Sequence, residues 1–222
     1  MTYAALLRCG AACALLGLLA ACGGGGGGTS PTTQDPVLPG PSTPDNPVPR
    51  TTTGLRGAAI DLLDDWVPND VATYTALAAV PTTGSAAYSG FVYGDLSNDR
   101  DAVTDSLIGR LSLNVAFSAA SAGFTGSATG FVDSQDDPLS GSLAVSGGAL
   151  NRNGNSASDA TVRGIALAGV LRDGGNLAYD VGIQLEGDFL GTTAQAIGGE
   201  AIGRVSVGGD SQNFDGGFVA AQ

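Results

Sequence analysis

The sequence predicts an all-β fold, an eight-stranded antiparallel up-and-down barrel with a short N-terminal helix, preceded by a disordered Gly/Pro tether. Three observations predict it. From about Tyr74 onward, apolar and polar residues alternate with period two. Clusters of Asn, Asp and Gly break the alternation at short intervals. Glycines recur at alternate positions inside the runs, where a small closed barrel needs them to relieve crowding and let strands coil.

Residues 1–21 carry one positive charge, Arg8, and an apolar run from Ala11 to Ala21. That run is too short to cross a bilayer as a helix and ends in small residues, as a secretory signal does. Residues 22–50 form the tether. Gly23 to Gly28 give it a flexible base, and seven of the ten prolines lie between Pro31 and Pro49 as a semi-rigid spacer of about 3 Å per residue. Gly23, Gly25 and Gly28 satisfy G-x-G-x-x-G in form only, with no strand before them and no helix after.

Residues 51–73 hold the helix and a connector. Leu55, Ala58, Ala59, Leu62, Leu63 and Trp66 recur at helical spacing, Asp61, Asp64 and Asp65 fall mostly elsewhere, and Pro68 stops the run. The expected role of this helix is to plug or cap one end of the domain, with Trp66 as its anchor.

Residues 74–222 hold the barrel, with strands expected near 85–95, 106–118, 123–133, 139–150, 159–172, 176–190, 194–207 and 213–221. The clearest is 176–190. Leu177, Tyr179, Val181, Ile183, Leu185 and Phe189 share one face, and Ala178, Asp180, Gln184, Glu186 and Asp188 the other. Leu107, Leu111, Leu113, Val115 and Phe117 repeat the pattern against Arg110, Ser112 and Asn114. Asn98-Asp99, Asp136-Asp137-Pro138, Asn151 to Asn155 and Asp173 to Asn176 supply turns.

Alternation also fits a barrel set in lipid. Aromatics at 6% are too few for two interfacial girdles, and the apolar faces are broken by Gly and Ala, so a water-facing barrel is expected.

Composition excludes much chemistry. The formal net charge is −12, which argues against nucleic acid and against electrostatic adhesion to anionic lipid. All nine basic residues are arginine, and histidine is absent. There can be no Schiff-base lysine and no imidazole base. The cysteines are Cys9, Cys13 and Cys22, so the barrel holds no disulfide and no thiolate metal site. Met1 is the only methionine, leaving tyrosine as the only side chain that could ligate a haem. No catalytic residue, cofactor or metal site is expected.

Leu19-Ala20-Ala21-Cys22 resembles the lipobox of bacterial lipoproteins. The resemblance implies cleavage before Cys22, diacylation of its sulfur and acylation of the new amino terminus. Gly23, where aspartate would signal inner-membrane retention, implies the outer membrane.

Gly84-Ser85-Ala86-Ala87-Tyr88-Ser89-Gly90 resembles the opening of the barrel in transferrin-binding protein B-type lipoproteins. Phe189-Leu190-Gly191, Gly198-Gly199 and Phe214-Asp215-Gly216-Gly217-Phe218-Val219-Ala220 are similar to its closing strands. The resemblance covers about Tyr74 to Gln222. It implies an outer-membrane lipoprotein, often at the cell surface, that binds a host protein or an iron or haem source. The bilobed receptors carry two barrels with handles, where this chain carries one barrel and a minimal helix.

Several acidic groups have the spacing of a site. Asp95, Ser97, Asp99 and Asp101 have calcium-loop spacing, but Arg100 stands where glycine belongs and Ser106 where glutamate belongs. Asp133, Asp136 and Asp137 form a second cluster. A solvated turn is the favoured reading of both. Asp180, Glu186 and Asp188 are spaced along one strand face, as carboxylates flanking a sugar would be, but the sequence shows no further acid, aromatic platform or arginine clamp beside them. Tyr88 and Tyr93 fall on opposite faces of the first strand, and Tyr93 could present its phenol at the barrel mouth.

The functional expectation is a monomeric, non-enzymatic binding protein, joined to the outer membrane through Cys22 and exposed at the cell surface. The alternatives are a periplasm-facing carrier of a small apolar ligand and a ligand-free structural envelope protein.

Overall fold

Strands whose side chains are apolar on one face bury that face most completely by curling until the last strand pairs with the first. A computed structural model shows this closure and describes residues 50–67, 73–98, 102–150, 152 and 160–222. Cys22, the signal, the tether, Pro68, Asp99 and Asp101 lie outside the described residues. One helix, α1 (Thr52–Trp66), precedes β1 (Ser85–Ser97), β2 (Val103–Phe117), β3 (Ala122–Val132), β4 (Pro138–Leu150), β5 (Thr161–Arg172), β6 (Ala178–Leu190), β7 (Ala196–Val207) and β8 (Asp210–Ala221). Each strand pairs antiparallel with its neighbour in sequence, and β8 closes on β1 from Ser89↔Ala221 to Ser97↔Asn213. Every expected strand is present, with ends within three residues of those expected.

The inward faces fill the barrel. Phe189 is fully buried, with ring centroids 5.8 Å from Phe117, 6.1 Å from Tyr88 and 6.4 Å from Phe124. Further along, Phe214 lies over Gly94 and Phe131 over Gly109, each ring occupying the space a Cβ would need. Opposed inward glycines also bring strands together. A Cβ on Gly216 would stand 2.0 Å from the Tyr93 carbonyl oxygen, and one on Gly199 2.1 Å from that of Glu186. Rings above bare backbone let eight strands pack a solid centre. Gly130, at φ 62°, forms a bulge that shifts the register between Thr129 and Phe131 and turns the Phe131 ring inward.

The two ends differ. At the head, the β1–β2, β3–β4, β5–β6 and β7–β8 turns are short. Leu177, expected among the inward residues, belongs to the β5–β6 turn and is 41% exposed. The base is sealed by residues 73–80. The Thr75 amide donates to the Phe189 carbonyl at 2.9 Å, its hydroxyl to the Gly191 carbonyl at 2.7 Å, and Val80 enters the core. Beside it the Tyr88 hydroxyl donates to the Ala194 carbonyl at 2.6 Å, and the Gln222 amide donates to the Tyr88 oxygen at 3.0 Å.

Helix α1 does not cap an end, as its amphipathic spacing suggested. It runs down the outside of the wall, from head to base, against β8, β1 and β2. Leu55 and Ala59 cover Ile108 and Val132 with Phe91 and Tyr93 beside them, and Trp66 packs on Leu190, Ala196 and Ala221. Trp66 is an anchor, at the base of the outer wall. The cap is the segment 73–80 instead.

Candidate functional site: a groove floored by glycine on the outer wall

Helix α1 and the outer faces of β5 to β8 leave a groove of about 450 Å³ near the base. Glycine makes it. Gly198 and Gly217 point outward by the strand alternation, so backbone replaces side chains there, and the Tyr93 hydroxyl stands 3.0 Å from where a Gly217 Cβ would be. Leu63 and Val67 form the helix side, with Tyr74 beside them. The far side is polar, with Arg163, Glu186, Asp188 and Glu200.

Glu186 and Glu200 are the only glutamates in the chain, and they stand directly opposite each other across β6 and β7. Side chains so placed share one face about 5 Å apart at Cβ. Arg163 lies on the adjoining strand, β5, where a register shift falls between Val162 and Ile165. Asp188 is committed, accepting from the Thr161 hydroxyl at 2.6 Å. Among the described residues the ion pair within 4.0 Å is Arg56–Asp95, at 3.0 Å near the head. The Arg163 guanidinium and both glutamates therefore keep their hydrogen-bonding capacity for the groove.

The acids singled out in the sequence separate into three sets. Asp133 and Asp136 build the β3–β4 turn and fasten the helix to it. The Asp133 carboxylate accepts from the Gln135 and Asp137 amides at 2.9 Å each, and its carbonyl accepts the Thr52 hydroxyl. The Asp136 carboxylate takes the Thr52 amide at 2.6 Å, at the positive end of the helix dipole. Asp137 is exposed in the same turn. Asp95 pairs with Arg56. Asp180, Glu186 and Asp188 do share the outward face of β6, and the last two line the groove.

The further acid, arginine and aromatic residues that the sequence did not place beside β6 come from elsewhere in the fold. Glu200 arrives from β7, Arg163 from β5, Tyr93 from β1 and Tyr74 from the base segment. The closed barrel's register and the base segment bring them together.

Tyr93 lies on the outer wall beneath α1 and not at the barrel mouth; burial raises its phenol pKa, offset by nearby Arg56. Tyr88 is inside, and burial pushes its phenol up to about 12, against the lowering effect of the Gln222 hydrogen bond. Tyr179 is also raised, by burial first and then by Asp105, Asp133 and Asp173. In comparisons with known proteins, no family model, curated protein or solved structure matches this chain.

Proposed function

We propose that this chain is a non-enzymatic binding protein, held at the outer membrane by lipid on Cys22 and facing the cell exterior, as transferrin-binding protein B-type lipoproteins are. The observation that carries the reading is the division of the barrel into a solid interior and an exterior that is mostly small or polar wherever α1 does not cover it. Tyr88, Phe131, Phe189 and Phe218 are fully buried inside, while Ser112, Asn114, Ser142, Gln184 and Asp180 face outward. A lipid-spanning barrel needs an apolar outer band flanked by aromatic girdles. The outer face of this wall is the wrong chemistry for that, so attachment falls to the lipobox cysteine. Two or more acyl chains give stable anchoring.

A filled interior also moves recognition to the outside, which disfavours the alternative of an apolar ligand carried within the barrel. Haem held inside the barrel is disfavoured as well, because the interior is filled and the Tyr88 hydroxyl there is spent on Ala194.

Two measurements test the reading. Replacing Cys22 by Ala is expected to release the protein from the membrane fraction; retention in the membrane would refute the anchor. A protease applied to intact cells is expected to cut a tag inserted between Asn151 and Asn155. Protection until lysis would put the barrel in the periplasm and remove the host-protein role.

A further inference from the structure

The outer-wall groove has a chemistry of its own. It presents both signs of charge: the facing carboxylates of Glu186 and Glu200, and the guanidinium of Arg163. An anion would meet two carboxylates, and a simple cation would meet Arg163. The described acids form no group of three that could hold a metal ion. A neutral ligand bearing many hydroxyls satisfies all three side chains, because carboxylates accept from vicinal hydroxyls and guanidinium donates to them in pairs.

The rest of the groove suits the same ligand. Its floor is backbone at Gly198, and Leu63, Val67 and Tyr74 offer an apolar and aromatic side. A sugar ring has polar edges and a C–H face that packs on such surfaces. The volume of about 450 Å³ falls within the roughly 300–1,000 Å³ of small-ligand clefts. The choice of residue also bears on this. Aspartate supplies every other acidic side chain in the sequence, yet the longer glutamate occurs at these two facing positions alone.

We infer that this groove is a saccharide-binding site, with Glu186, Glu200 and Arg163 as its hydrogen-bonding groups and Tyr74 as its packing surface. The inference rests on the proposed reading that the outside of the barrel carries recognition. It names a glycan, free or on a partner, as what is recognised.

The test is titration of the purified full chain with cellobiose, lactose, maltotriose and chitotriose, followed by calorimetry. Binding of at least one is expected, weakened about tenfold or more by Glu186→Ala, Glu200→Ala or Arg163→Ala. Ser142→Ala, on the wall away from the groove, should leave it unchanged. Thermal melts of the groove variants should match the parent, since Arg163 and Glu200 are exposed.

Absence of binding to all four sugars at millimolar concentration would overturn the inference, as would equal binding by the groove variants. Spermidine is the contrasting probe. If it binds and Arg163→Ala strengthens it, the groove is a cation site instead. Failure here with surface exposure and release by Cys22→Ala intact would remove the saccharide and leave the surface-binding role standing.

Discussion

The outer wall has two halves that obey different rules. Across β8, β1, β2 and the end of β3, apolar side chains face outward as well as inward: Phe91, Tyr93, Ile108, Val132, Val219 and Ala221. Across β4 to β6, the outward positions are mostly small or polar, such as Ser142, Ala144, Ser146, Asp180 and Gln184, with Val170 the exposed apolar exception, and water covers them. The first half lies under α1. A strand that alternates strictly has one dry face, and a strand that does not alternate has two. Phe91-Val92-Tyr93 and Phe218-Val219-Ala220-Ala221 are therefore the local record of a covering helix.

The sharpest way to break this contrast is to put one charge on each half. Ile108→Asp, under the helix, should destabilise by about 3 kcal/mol or more, since an unpaired carboxylate would be buried. Ala144→Asp, on the bare half, should change stability by less than about 0.5 kcal/mol. Urea unfolding measures both, and equal effects would mean that α1 does not cover its half in solution.

Alkaline pH gives a second, smaller test. The folded phenols of Tyr88 and Tyr93 titrate above their ordinary value of 10, so the folded state holds those protons more tightly than the unfolded chain. Their contribution to stability is whole below pH 10 and is lost as pH rises toward about 12, the folded value for Tyr88. The loss should reach on the order of 2 kcal/mol at Tyr88. Tyr93→Phe should remove the part that comes from the covered wall, seen as a shallower fall in urea midpoint between pH 9 and pH 12. An unchanged slope would place Tyr93 in water.

Asp136→Ala deletes the carboxylate that meets the Thr52 amide, and should cost about 1 kcal/mol in thermal melts. A larger loss would mean that the β3–β4 turn itself had collapsed.

The smallest effect has the opposite sign. Gly182, outward on the bare half of β6, has open space where a Cβ would go, so Gly182→Ala should stabilise by about 0.5 kcal/mol. At Gly199 the same change drives a Cβ into the Glu186 carbonyl and should destabilise.

Which parts of this were legible in the sequence follows from the range of the forces involved. Alternation is a local property, so β2 and β6 and their inward faces could be read directly, and eight strands in a row implied closure. The interior glycines could be read as well, because a small barrel crowds its centre. The position of α1 was harder. Its Leu55, Ala59 and Trp66 stripe says that one face is buried, but not against what, and the departure from alternation in β1 and β8 is the clue that answers it. The groove was illegible for a different reason. Glu186 and Glu200 are separated along the chain and meet only through the β6–β7 register, which depends on where turns and bulges fall.

Helix α1 also has a mechanical consequence. Arg50 leads into the head end of α1, a helix fastened by Asp133 and Asp136 at that end and by Trp66 at the other. Tension applied through Arg50 would load the helix tip first and peel it from the wall turn by turn. The closed ring of strands, where hydrogen bonds share load in every direction, feels the pull only after the helix has gone. Under stretch in an optical trap, a small early extension at low force should therefore precede the single large rupture of the barrel. A lone rupture would mean that helix and barrel fail together. The helix is then a shock absorber: it yields first while the ring of strands behind it stays folded.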